Sequence, residues 1–191
     1  MSRWQPGARS RLERAALELF AEQGFSETTV PQITARAGLT TRTFFRHFAD
    51  KREVLFAVED ELPALVATLM AEAPAGLSPM MVIDWGLQAA TADRFDGARD
   101  YLRTRRSIIQ AEDSLREREL RKNAVLAEAV RQGFTARGAG ELTAELAAQL
   151  AVTVFTVALS RWLDENGGPS LPQVTHETFL ALQAVTTEAA G

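Results

Sequence analysis

The chain has 191 residues, 46% of them apolar and 24% charged, with a net charge of −4 and no cysteine. That composition suits one or two folded domains with a sizeable core and excludes disulfides, thiol nucleophiles and Cys-bound metals. The opening residues MSRWQPGARSRLER carry no apolar run behind their charges, so no signal peptide is expected. The longest uncharged stretch, Leu146 to Ser160, is shorter than the about 20 residues of a bilayer-spanning helix. A cytoplasmic protein without membrane contact is the expectation. The charge is unevenly placed. Residues 1–52 hold nine Arg and Lys against five Asp and Glu, and the remainder holds twelve against twenty. A basic head on an acidic body suits contact between the head and a polyanion.

Taken in order, the chain reads as all-α. Strict apolar–polar alternation is absent, and the Gly and Pro clusters fall between segments of helical period. A first helix is expected over 8–23, with Leu12, Ala16, Leu19 and Phe20 on one face and Gly24 at its end. Thr29 with Gln32 three residues on is a capping-box pattern, and Pro31 sits in the first turn, where no N–H is missed. They open a short helix over 30–37 that ends at Gly38. Thr40 caps the next, 41–47, and Asp50 a longer one from Lys51 into the low 70s. Beyond the turn cluster APAGLSP, helices are expected over about 79–92, 97–111, 114–137, 142–165 and 172–188.

Two short helices joined at a glycine, with a preceding helix to bury their apolar faces, make a helix-turn-helix. Ile33 and Ala37 should face Phe44 and Phe48, with Leu39 in the turn and a small residue, Ala35, where the helices approach. That leaves Thr40, Thr41, Arg42, Phe45 and Arg46 outward. Arg can take guanine O6 and N7 together, and Thr can bond base edges or phosphates. Free N–H groups at the starts of both short helices suit phosphates.

The stretch ARSRLERAALELFAEQGFSETTVPQITARAGLTTRTFFRHFADKREVLFAV, residues 8–58, resembles the DNA-binding domain of the TetR family of bacterial repressors. The resemblance implies an all-helical homodimer of about nine helices, with a helix-turn-helix domain over 1–50 and a ligand-binding and dimerisation domain over 51–191. Its partner would be a palindromic double-stranded operator, its last two helices the dimer seam. Carried over by position, Thr40, Thr41, Arg42 and Thr43 meet the operator, with Arg42 foremost for base reading. Thr29, His47 and Lys51 match positions that touch phosphate. Phe45 stands where a tyrosine often occurs, and an apolar contact is expected of it.

The rest of the chain shows no catalytic constellation, so neither an enzyme nor a cofactor is expected. Its one histidine, His176, has no acid–base or metal spacing. The large apolar residues Trp85, Tyr101, Ile108, Phe155 and Trp162 fill a core or line a ligand pocket, with Thr104 and Ser107 as polar groups to orient a ligand. Within RTRR, residues 103–106, an arginine such as Arg103 meets an anionic ligand, or the run is a solvated face paired with Glu112 and Asp113. The segment from about 97 to 166, containing LRTRRSIIQAEDSLRERELRKNAVLAEAVRQGF, resembles a subgroup related to the mycofactocin regulator, which implies an acyl-coenzyme-A-like ligand. The helix over 142–165 mixes Leu146, Leu150, Val154, Val157 and Trp162 with alanines around most of its circumference, so it should contact its own domain on one side and a twin on another. A cytoplasmic carrier of lipophilic anions with weak, non-specific DNA binding is the alternative.

Overall fold

A computed structural model describes residues 7–92, 95, 97–165 and 167–187. Nine helices and no strand occur among them: α1 (Ala8–Gln23), α2 (Val30–Ala37), α3 (Thr41–His47), α4 (Leu62–Glu72), α5 (Pro79–Thr91), α6 (Arg99–Ala111), α7 (Asp113–Ala136), α8 (Glu141–Asp164) and α9 (Leu171–Thr187). Arg3, counted in the basic head, and residue 188, expected to end the last helix, lie outside the described residues.

The short helices are set by local chemistry. Thr29 and Gln32 form the full capping box, and the Thr40 hydroxyl accepts from the Thr43 N–H. At the end of α2, Gly38 adopts a left-handed φ of 63°. Its N–H donates to Ala35 and that of Leu39 to Thr34, at 3.1 and 2.8 Å, the reciprocal pair that closes a helix at glycine. Space adds to the conformational reason, since a Cβ there would lie 2.9 Å from the Arg11 guanidinium.

One expected helix is shorter than its pattern. Instead of running from Lys51 to the low 70s, the chain turns through 51–61 and α4 begins only at Leu62. Asp50 still accepts from the N–H groups of Arg52 and Glu53, at 2.7 and 3.2 Å, and Leu55 and Phe56 donate three residues back. Pro63 accounts for the start of α4. In a helix interior it has no N–H to give and its ring meets the carbonyl four residues before it, so it is accommodated in the first turn of a new helix.

The chain divides into two compact units, residues 1–60 with 100–120, and 61–99 with 121–191. The first has Leu12, Phe20, Ile33, Phe44, Phe56, Ile109 and Leu115 at its centre. Thr34, with its hydroxyl on the Pro31 carbonyl, is buried beside Ile33, whereas Ala35 is exposed and does not mediate a close helix approach. Two ion pairs join α6 and α7 to the turns: Arg105, 7% exposed, with Glu59, and Arg118 with Glu53. Arg105 also donates to the Leu55 carbonyl, and its guanidinium lies 5.2 Å from the centre of the Phe56 ring.

The second unit is built on small residues. Ala144, Ala147, Ala148, Ala151 and Ala158 form the buried stripe of α8, which lets neighbouring backbones come close. Arg137 closes the end of α4 by donating to the carbonyls of Met70, Ala73 and Pro74 at 3.1, 2.9 and 2.8 Å. With 24 residues, α8 is longer than the uncharged stretch inside it, and by length and composition it could cross a membrane. Its buried face includes Trp162 and Leu163, as in a core helix of a folded domain.

Candidate nucleic-acid interface and ligand cavity

The outer surface of α3 is held from behind. Phe44 is fully buried, Phe48 is 5% exposed, and their rings lie 5.5 Å apart. With 44 and 48 inward, a helix of 3.6 residues per turn must turn 41, 42, 45 and 46 outward, and all four are exposed. Phe45, 59% exposed, is steadied by an edge contact with Phe44 at 5.4 Å. Arg42 and Arg46 form no hydrogen bond or ion pair with the described residues, in contrast to Arg36, which takes both carboxylate oxygens of Glu22 at 2.9 and 2.8 Å. That bidentate hydrogen bond, more than the charge itself, holds the Glu22 carboxyl below its ordinary range. The result is an exposed pair of guanidinium groups beside an exposed aromatic ring.

The remaining expected DNA-contacting residues divide by how they are engaged. Thr40 and Thr43 hold each other, their hydroxyl oxygens 3.0 Å apart. Thr41 and His47 are exposed. Thr29 is exposed at the start of α2, with its hydroxyl donating to Gln32 at 2.9 Å. Lys51 differs. Its ammonium donates to the carbonyls of Phe25, Ser26 and Thr28 at 2.7, 3.2 and 2.9 Å and stands 4.3 Å from the centre of the Phe25 ring. An ammonium has three N–H donors, and all three are engaged by the α1–α2 loop.

The second unit contains a cavity of about 650 Å³ counted out to its mouth, walled by α4, α5, α7 and α8. Leu65 and Met70 come from the first wall, Trp85 and Gly86 from the second, Phe134 from the third, and Phe155 from the fourth. Among the described residues, no charged side chain and no hydroxyl lines it. Of the expected ligand residues, Trp85 and Phe155 are here. Trp162 instead lines a separate cleft between the ends of α5 and α8 and the start of α9, where the Arg99 guanidinium lies 4.3 Å from the centre of its ring.

Tyr101, Arg103, Thr104, Ser107 and Ile108 belong to the first unit and do not line the cavity. Ile108 is in that unit's core, and burial raises the Tyr101 phenol above its ordinary range. Thr104 donates to the Asp100 carbonyl and Ser107 to that of Thr104, at 3.0 and 2.8 Å, within the turns of their own helix. Arg103 reaches Asp100 at 3.4 Å. The pairing of RTRR with Glu112 and Asp113 is replaced: Glu112 accepts from Ser26, and Asp113 pairs with Arg116. The register had a clue. Leu102, Arg105 and Ile109 follow helical spacing on the buried face of α6, and an arginine in such a stripe demands an internal acid.

Among the described residues no group of three or more His, Asp or Glu is placed to hold a metal. His176 is exposed and meets Asp84 at 3.0 Å.

Residues 13–58 match the family model of bacterial regulatory proteins of the tetR family. The regulator TcmR of Streptomyces glaucescens is 37% identical over 89 residues, 47% of this chain and 39% of TcmR. SrpR of Pseudomonas putida is 48% identical over 50 residues, 26% of this chain and 24% of SrpR. The chain thus matches well under two thirds of these relatives' length. Solved structures extend the likeness in fold. A TetR-family regulator from Syntrophomonas wolfei superposes with a TM-score of 0.63 at 14% identity, over 93% of this chain and 94% of its own. FadR of Thermus thermophilus bound to lauroyl-CoA gives 0.55 at 24%, over 92% and 93%. The complex of SmeT, from Stenotrophomonas maltophilia, with triclosan gives 0.59 at 20%, over 92% and 90%. These relatives are regulators, in agreement with the absence of an expected catalytic role.

Proposed function

We propose that this chain, whose residues 13–58 match the tetR family model, is a homodimeric, ligand-responsive regulator of transcription that represses from a palindromic operator. The observation that carries this reading is the outer face of α3, where Arg42 and Arg46 stand exposed without internal partners beside Phe45. Two such helices in a dimer would enter successive major grooves about 34–36 Å apart. Arg42 reads a base edge, Phe45 packs on sugar or a thymine methyl, and Thr29, Thr41, Arg46 and His47 meet the backbone or neighbouring bases. Thr40 and Thr43 shape the start of α3. Lys51 supports the interface by holding the loop ahead of α2.

Dimerisation falls to the exposed apolar residues of the last two helices. Leu142, Leu146 and Val157 lie on the side of α8 away from its alanine stripe, and α9 adds Leu180 and Val185. A twin helix pair would cover them in a four-helix seam. A small lipophilic ligand would occupy the cavity among α4, α5, α7 and α8, and its binding would change the spacing of the two heads. By linkage, a ligand that weakens operator binding must itself bind the operator complex less tightly. Operator recognition belongs to residues 1–50, ligand binding and dimerisation to 51–191, in the cytoplasm.

Arg42→Ala tests the recognition surface. The variant should remain dimeric by light scattering and lose about 1–3 kcal/mol of discrimination at one base pair. A variant that still prefers its site to scrambled DNA as strongly as the parent would remove Arg42 from that role.

A further inference from the structure

Resting on the ligand-responsive reading, we infer that the cavity of the second unit takes an uncharged, ring-bearing hydrophobic molecule, and that Gly86 sets how large a molecule it takes. The lining supplies the first half. Aliphatic walls from α4 and α7 face the aromatic rings of Trp85 and Phe155, with Met70 as an adaptable filler. A carboxylate, sulfonate or phosphate entering there would give up its water and meet no cation among the described lining residues, a cost that burial without a partner carries. Among the described residues near its walls, Arg137 serves three carbonyls at the end of α4, and Arg131 pairs with Glu128.

Two glycines inside helices supply the second half. Gly133 on α7 has a steric reason, because a Cβ there would clash with Met70 Cγ. Gly86 on α5 has none. A Cβ at Gly86 would meet no heavy atom within 4 Å, and its backbone is not in the left-handed region. Glycine within a helix is less stable than alanine, so packing and propensity both favour a larger residue at 86. What glycine leaves is open space on a cavity wall. A side chain there would take up the volume a ligand needs.

The test is a titration of the full chain with N-phenyl-1-naphthylamine, uncharged at pH 7, and in parallel with 8-anilinonaphthalene-1-sulfonate, the same framework with one anionic group. The expected result is saturable naphthylamine fluorescence at one dye per chain, with the sulfonate at least about tenfold weaker. Gly86→Leu should weaken the naphthylamine by about tenfold or more. Ala90→Leu, which fills the same wall one turn on, should do likewise, and circular-dichroism melting checks the folding of both. Equal or tighter binding of the sulfonate, or displacement of the naphthylamine by lauroyl-coenzyme A at equimolar concentration, would overturn the uncharged class. Naphthylamine binding unchanged in both folded variants would overturn the placement. Sequence-specific DNA binding without dye binding would sink this inference and leave the regulator standing. The expected dye pattern without any DNA sequence preference would support the cavity and sink the regulator.

Discussion

The two units differ in the balance of charged ties and apolar packing, although Arg137 also serves three carbonyls in the second. In the first, charged groups are tied to fixed acceptors: Arg105 to Glu59 and the Leu55 carbonyl, Arg118 to Glu53, Lys51 to three loop carbonyls. In the second, α8 packs through alanines, and four helices leave apolar space between them. Hydrogen-bonded charges demand one geometry, while apolar surfaces can slide and repack at little cost. A surface that must match the spacing of base edges needs the first kind of construction, and a site that must change shape with its occupant needs the second.

The sharpest way to break this contrast is to remove the deepest charge. Arg105→Met keeps the apolar stem but removes the group that serves Leu55 and Glu59, and breaking a buried pair costs about 3–5 kcal/mol. Urea unfolding should show a loss of this order, and a loss below about 1 kcal/mol would mean that the charged ties do not hold the first unit. In the second unit, Gly133→Ala forces a Cβ against Met70 and should cost about 1–3 kcal/mol as overpacking. A neutral result in the same assay would show that α4 and α7 separate freely.

Lys51 tests whether the ties serve recognition. Lys51→Met should weaken operator binding by about tenfold, roughly 1.4 kcal/mol, by loosening the loop ahead of α2. Because its donors are engaged internally, the slope of log affinity against log salt should not change. A shallower slope, by about 0.9 for one lost phosphate contact, would make Lys51 a DNA contact. The smallest effect belongs to Glu22, exposed at the junction of α1 and α2. Its folded pKa lies below its unfolded value, so its contribution is present above the unfolded pKa and is lost as pH falls through the folded one. Glu22→Gln should therefore lower the melting temperature slightly at pH 7 and progressively less as pH falls through the folded pKa, and a shift independent of pH would assign the effect to something other than the Arg36 pair.

The same contrast decides what could be read from the residues alone. Thr29, Gly38 and Thr40 act within three or four positions of themselves, so the boundaries of α1, α2 and α3 and the outward set on α3 followed directly. The division of the apolar residues on α6 did not. Whether Tyr101 or Ile108 faces a cavity or a core depends on partners far along the chain, and Arg105 meets an acid 46 positions away. The helix expected from Lys51 instead begins at Leu62, with Pro63 in its first turn. Trp85 and Phe155, expected in a core or in a pocket, line the cavity, and the residues alone do not decide between the two. Gly86 carried no visible signal, since empty volume leaves no residue to read.

Binding of the purified chain to DNA flanking its own gene, against scrambled DNA of equal length across a salt titration, tests the central claim most directly. A specific excess of about 10³ or more that persists as salt rises, lost in Arg42→Ala, is the predicted result. Equal affinity for both DNAs, falling together with salt as bare phosphate contact requires, would contradict it and leave a lipophile-binding protein with only a loose hold on DNA.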